Sequence, residues 1–241
     1  MNRRWCAAGR EWRCRRRDRW APDGSQMSGR VIAVGGAADR LAELGLTVEL
    51  VERVLRRADA EASMCTPLDP PIMEGLTRWG RTNRYLREEL VPAGWRYDNP
   101  RNLPRTIHPD GEFAIVAATG DDLTGLAALL PRTKYRRGDA TARAVQVNGQ
   151  LALDLGDFDC GQDDDRDRDR DRDLLTWLLL FHADDDGFRA ELSLPDAIED
   201  GRITGWAERI ILPFFPRDAC RLDDLAPARP DEDVVVAVAR R

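Results

Sequence analysis

His108, Asp110 and Glu112 fall within five residues of one another, in the stretch HPDGE. An imidazole next to two carboxylates is a combination that serves acid–base catalysis and the binding of divalent metals. The spacing matches neither a zinc motif nor an EF-hand loop. The same residues also form a Pro-Asp-Gly turn, which His108 begins. The stretch therefore predicts either a metal-dependent or acid–base site or a plain turn.

A second set of residues has the chemistry to bind an anion. Seven arginines stand against three acidic residues between positions 76 and 105, and a further basic cluster follows at 132–143. Arginines interleaved with aromatic rings hold phosphates and stack on unpaired bases. The predicted contact residues are Arg78, Arg81, Arg84, Arg87, Trp95, Tyr97, Arg101, Arg105, Lys134, Arg136 and Arg137. The alternative is a solvated helix face whose charges pair with acidic residues elsewhere in the chain.

Charge and composition limit the classes of function. The 241 residues carry a net charge of −6, so the chain as a whole does not attract nucleic acid, and only a local basic surface would do so. The five cysteines are widely spaced and form no CxxC pair, so neither a disulfide framework nor a zinc cage is predicted. This cysteine usage favours a location in the reducing cytoplasm. No apolar run approaches the roughly 18 residues of a membrane span. No nucleotide-binding or nucleophile motif occurs, and no cofactor or metal is predicted.

Three segments are too polar to enter a hydrophobic core. Residues 1–28 are Arg-rich and aperiodic, which predicts a disordered basic extension; the alternative is that translation starts at Met27. Residues 157–173 hold nine Asp and four Arg, which predicts an acidic low-complexity insert. Residues 217–241 predict a flexible tail. Between the ends, 29–216 is expected to form a single domain.

The domain is predicted to be α+β, with two N-terminal helices packed on a mostly antiparallel sheet of about six strands. The predicted helices cover 47–62 and 72–91, and the predicted strands include 112–119, 174–182, 188–194 and 209–212. Asn148-Gly149, between two alternating runs, predicts a two-residue β-hairpin turn. The stretch Arg30 to Gly45 lacks the GxGxxG spacing of a dinucleotide site.

Three segments, TRWGRTNRYLREELVPAGW, NPRNLPRTIHPDGEFAI and ERIILP, resemble uncharacterised proteins of high-GC actinobacteria. The resemblance covers most of the predicted domain and implies no activity.

Taken together, the sequence favours a non-enzymatic, cytoplasmic binding protein with an anionic partner, either DNA or RNA or an acidic protein surface. The alternatives are an enzyme that uses His108, Asp110 and Glu112, and a protein-interaction module. Because the insert 157–173 is acidic, it is expected to compete with the partner for the basic surface.

Overall fold

A computed structural model describes residues 29–153 and 174–217 of the chain. The predicted segments 1–28 and 157–173, and the predicted tail beyond Arg217, lie outside the described residues. The helices are α1 (Val34–Glu43), α2 (Val48–Ala62), α3 (Met73–Leu90) and α4 (Asp139–Leu153). The strands are β1 (Arg30–Ile32), β2 (Arg96–Asp98), β3 (Arg105–Ile107), β4 (Phe113–Thr119), β5 (Leu175–Ala183), β6 (Gly187–Glu199), β7 (Arg202–Ile211) and β8 (Phe215–Pro216). Short 3₁₀ turns occupy Val91–Ala93 and Pro100–Asn102.

The strands form one mostly antiparallel sheet in the order β1-β7-β6-β5-β4-β3-β2, with β8 pairing with the start of β6. Only β1 with β7 and β4 with β5 are parallel. The α+β class predicted from the sequence is confirmed. The finer prediction is wrong in its counts, because within the described residues three helices precede β2, a fourth crosses between β4 and β5, and the sheet has eight strands.

Side chains alternate between the two faces of a strand, so the sheet has two cores. Trp177, Leu179 and Phe181 of β5 lie in the larger core, together with apolar residues of α1, α2 and α3. Leu178 and Leu180 lie on the opposite face, where Val145 of α4 and Trp206 of β7 cover them. Helices therefore cover both faces of the sheet. None of the helices within the described ranges is long and apolar enough to cross a lipid bilayer.

The boundaries of α2 and α3 agree with the prediction because their sequence signals are local. Thr47 caps α2 by accepting a hydrogen bond from the backbone N–H of Leu50, at 3.1 Å. Val51, Leu55 and Ala58 recur at helical spacing and are buried. Gly45, at φ +69°, supplies the left-handed residue that follows α1 and turns the chain toward α2.

The predicted hairpin around Asn148-Gly149 is wrong, because these residues lie inside α4. Thr141, Val145 and Asn148 are all buried and lie at helical spacing on one side. The Asn148 amide donates to the carbonyls of Thr176 and Pro195 and accepts from the backbone N–H of Thr176, at 2.8–3.0 Å. These tertiary bonds fix the helix against β5 and β6 and override the local turn propensity of Asn-Gly.

Side chains of α3 close the outer edge of β4 where β3 no longer pairs with it. The backbone N–H of Ala117 donates to the side-chain Oδ1 of Asn83 at 3.3 Å, and the Ala117 carbonyl accepts the indole N–H of Trp79 at 3.0 Å. Further along, the backbone N–H of Lys134 donates to the carbonyl of Thr119 at 2.9 Å. The N–H and carbonyl of Ala117 and the carbonyl of Thr119 are therefore satisfied on the outer edge, although β3 does not extend beside them.

A buried ion pair holds the loop between β4 and α4 against the sheet. Arg209 of β7 and Glu191 of β6 meet at 2.6 Å, with side chains 2% and 0% exposed. Glu191 also accepts from the N–H of Gly125 at 3.0 Å. Arg209 donates to the carbonyls of Leu126 and Leu129, at 3.2 and 2.7 Å. The pair thus helps to position the loop, together with Arg189, which donates to the carbonyl of Asp122, and Trp206, which donates to the carbonyl of Pro131.

Candidate functional site

His108 packs against the edge of the larger core. Its ring stacks on Phe113 with centroids 4.8 Å apart, and it meets Trp95 edge-on at 4.9 Å. Its Nδ1 accepts the backbone N–H of Asp110 at 3.3 Å, within the turn that the sequence predicts. The His108 carbonyl accepts from Gly111 at 2.8 Å, which closes the turn. These contacts favour the interpretation of His108 as a turn and packing residue.

Burial lowers the pKa of His108, although the carboxylates of Asp110 and Glu112 act in the opposite direction. The imidazole is therefore mostly neutral at neutral pH. The Asp110 carboxylate lies 4.0 Å from Nδ1, at the limit of an ion pair. Across residues 29–153 and 174–217, no three His, Cys, Asp or Glu side chains are grouped to hold a metal ion.

Acidification from pH 7.5 to 5.5 is expected to lower the free energy of unfolding of the wild type more than that of His108→Gln. The folded-state pKa lies below the ordinary value of about 6.5, so the unfolded state binds the proton first. This contribution to stability is present above about pH 6.5 and is lost as the pH falls toward the folded-state pKa. Urea unfolding at the two pH values measures the difference. Equal pH dependence of stability in both proteins would show that the folded-state pKa of His108 is not lowered.

Three predicted contact residues on α3 are already paired with carboxylates. Arg78 meets Asp59 at 2.9 Å and Glu74 at 2.5 Å. Arg81 meets Glu61 at 2.5 Å. Arg84 Nε meets Glu88 at 2.7 Å, which raises the pKa of Arg84 and lowers that of Glu88. The charge of the arginine stripe is thus largely neutralised by its neighbours.

Arg87 and Arg105 fasten β2 to its surroundings. Arg87 donates to the Asp98 carbonyl at 3.0 Å and to the Asn99 side chain at 2.8 Å, and its guanidinium lies 4.8 Å from the centroid of the Tyr97 ring. Arg105 donates to Asp98 through Nε at 2.8 Å and also through Nη2. Both arginines therefore have structural partners.

The two aromatics predicted to stack on a partner differ in exposure. Trp95 is only 4% exposed and belongs to the larger core, so it does not offer an accessible stacking surface, contrary to the expectation. Tyr97 is 57% exposed, but one side of its ring faces Arg87. A second exposed ring, Tyr135, lies in the other basic region and is 62% exposed.

Three cations that form no ion pair with another described residue lie together in one short segment, 132–136, named here the basic loop. Its charged side chains are Arg132, Lys134 and Arg136, and all three are exposed. The backbone of this loop is fixed by two backbone hydrogen bonds. The N–H of Asp121 donates to the carbonyl of Arg132, and the N–H of Lys134 donates to the carbonyl of Thr119, each at 2.9 Å. Arg101 is also exposed and adopts a left-handed conformation at φ +48°, in the turn before β3.

The basic loop and the first turns of α3 enclose a crevice at the carboxyl end of β4. The crevice has a volume of about 320 Å³ and is lined by Ile72, Gly75, Leu76, Trp79, Thr119, Tyr135 and Arg137. Next to it, a smaller cavity of about 60 Å³ reaches His182 and Lys134. Arg137, predicted as a surface contact, forms part of this wall. The other wall residues were not among the predicted contact residues; the available signal was the apolar pair Ile72 and Leu76 at the polar start of a helix.

Comparisons with family models, with curated proteins and with solved structures found no match to this chain.

Proposed function

We propose that this chain is a non-enzymatic binding protein for an anionic partner, which it contacts through the basic loop. The observation that carries the proposal is the difference in pairing between the two basic regions. The arginines of α3 are bound to carboxylates at 2.5–2.9 Å, whereas Arg132, Lys134 and Arg136 are exposed and have no ion pair to a described residue.

The chemistry of the basic loop favours nucleic acid as the partner. Three cations within five residues can each neutralise a phosphate, and releasing the condensed counterions drives such binding at low salt. Tyr135 lies between two of these cations and is 62% exposed; the Nζ of Lys134 lies 5.8 Å from the centroid of its ring, so a base stacked on Tyr135 would also be close to a cation. The overall charge of −6 confines the attraction to this surface.

The triple variant Arg132→Ala/Lys134→Ala/Arg136→Ala is expected to bind single-stranded DNA or RNA at least tenfold more weakly at ~50 mM salt. Loss of three phosphate contacts should also reduce the slope of log affinity against log salt by about 2. Fluorescence anisotropy of labelled 20-nucleotide strands, with the full chain, measures both quantities.

The matched control is Arg53→Ala/Arg81→Ala/Arg84→Ala, which removes the same charge from side chains that are paired in the structure. It should change the affinity less than threefold. An equal loss in the control would show that only net charge matters. If neither the wild type nor a form lacking 157–173 binds DNA or RNA, nucleic acid is excluded as the partner.

A further inference from the structure

The crevice beside the basic loop has an apolar wall that is open to solvent. Ile72, which directly precedes α3, is 70% exposed, and Leu76, in the first turn of α3, is 49% exposed. Trp79 and Tyr135 complete the wall. A volume of about 320 Å³ is at the lower end of the range for small-molecule sites, which are mostly apolar and contain a few fixed polar groups. The crevice is therefore large enough for a small organic molecule.

Arg137 is the charged residue in this wall. Its Nε and Nη2 are buried and have no hydrogen-bond partner among the described residues. Its backbone N–H donates to the carbonyl of Gly201 at 2.7 Å, which fixes the residue against the turn between β6 and β7. Burial lowers the pKa of Arg137 to about 10, so the guanidinium is still charged at neutral pH. A buried charge without a counterion is costly, and an anion would remove that cost.

The unpaired atoms of Arg137 identify the kind of anion. Nε and Nη2 form one edge of the guanidinium, and two parallel hydrogen bonds from this edge match the two oxygens of a carboxylate. The chain uses the same edge for carboxylates elsewhere: Arg40 donates from Nε and Nη2 to Glu208 at 2.6 and 2.9 Å, and Arg217 donates to Asp59 at 3.0 Å from each atom. Arg209 holds Glu191 in the same way.

We propose that the crevice is a binding site for a small amphipathic carboxylate, whose carboxylate pairs with Nε and Nη2 of Arg137 and whose apolar body packs against Leu76, Trp79 and Tyr135. A single buried cation suits a monoanion better than a nucleotide, whose several phosphate charges need more than one cation. The site shares Tyr135 with the surface of the basic loop proposed above but uses a different cation, because Arg137 is buried whereas Arg132, Lys134 and Arg136 are exposed.

The test uses the full chain and four probes: 3-phenylpropionate, hexanoate, 3-phenylpropanamide and acetate. For the first two, ligand-observed NMR should give a Kd on the order of 1 mM, as expected for ligands of about ten heavy atoms. The neutral amide lacks the charge and acetate lacks the apolar body, so each should bind at least tenfold more weakly. Failure of both apolar carboxylates to bind at 10 mM, or equal binding of the acid and its amide, would overturn the proposal.

Arg137→Met should weaken the binding of 3-phenylpropionate at least tenfold. Arg137→Lys should also weaken it, because lysine cannot donate two parallel hydrogen bonds to one carboxylate. The matched control, Arg136→Met, removes an exposed neighbouring charge and should leave binding within twofold. In the free protein, Arg137→Met should not lower the melting temperature, because it replaces an unpaired buried charge by an apolar side chain of similar length. Unchanged binding in Arg137→Met would reject the site. If Arg137→Met does not fold, unchanged binding in Arg137→Lys would do the same.

Discussion

Replacing Glu191 with Leu should lower the free energy of unfolding by about 4 kcal/mol, since the substitution leaves the charge of Arg209 buried and without its carboxylate. Both side chains are almost fully buried, and Ser193 and Gly125 lose an acceptor at the same time. Urea unfolding followed by tryptophan fluorescence measures the loss. The loop between β4 and α4 should also become more sensitive to protease, because Arg209 holds the carbonyls of Leu126 and Leu129.

The double variant Glu191→Leu/Arg209→Met provides the control. Removing both charges eliminates the uncompensated guanidinium, so the double variant should be more stable than Glu191→Leu alone. The exposed pair of Arg53 and Glu89, 2.9 Å apart, gives the comparison at the surface: Arg53→Ala should cost less than about 1 kcal/mol. If Glu191→Leu is as stable as Arg53→Ala, the buried pair of Glu191 and Arg209 does not stabilise the fold more than a surface pair does.

A loss of about 3 kcal/mol is the result expected for Asn148→Ala. The Asn148 amide satisfies the N–H and carbonyl of Thr176 and the carbonyl of Pro195, and alanine leaves all three unpaired in the interior. Gln146→Ala, an exposed position on the same helix, should change the free energy of unfolding by less than about 0.5 kcal/mol. Equal effects at the two positions would show that Asn148 does not join α4 to the sheet.

The sequence predicts those elements that are stabilised by interactions between residues close together in the chain. Helix α2 has its cap, Thr47, and its apolar stripe within one segment, so its bounds are readable from that segment alone. Helix α4 depends on the buried polar residue Asn148, which a reading of apolar periodicity passes over and which Asn-Gly turn statistics assign to a hairpin. Strand β1 pairs with β7 across nearly the whole chain, Arg30 with Glu208, and no local pattern in three residues indicates that partner.

The candidate site was predictable only in part for the same physical reason. A sequence count finds the arginines of α3 but not their partners Asp59 and Glu61, which lie on α2 and reach α3 only because the two helices pack together. Trp95 illustrates the converse, because an aromatic ring among arginines is buried by Phe113 and His108, whose positions the fold determines. Arg137 differs from its neighbours Lys134 and Arg136 only in burial, and burial is a tertiary property.

The side chains that close the outer edge of β4 also bear on whether a strand of another molecule can pair with it. The strand reads FAIVAAT and has no charged residue, which is the composition of segments that pair between molecules and start aggregates. An incoming strand would need the N–H and carbonyl of Ala117, and Asn83 and Trp79 already occupy both. Helix α3 therefore blocks the pairing of another strand at Ala117. The same helix forms one wall of the crevice.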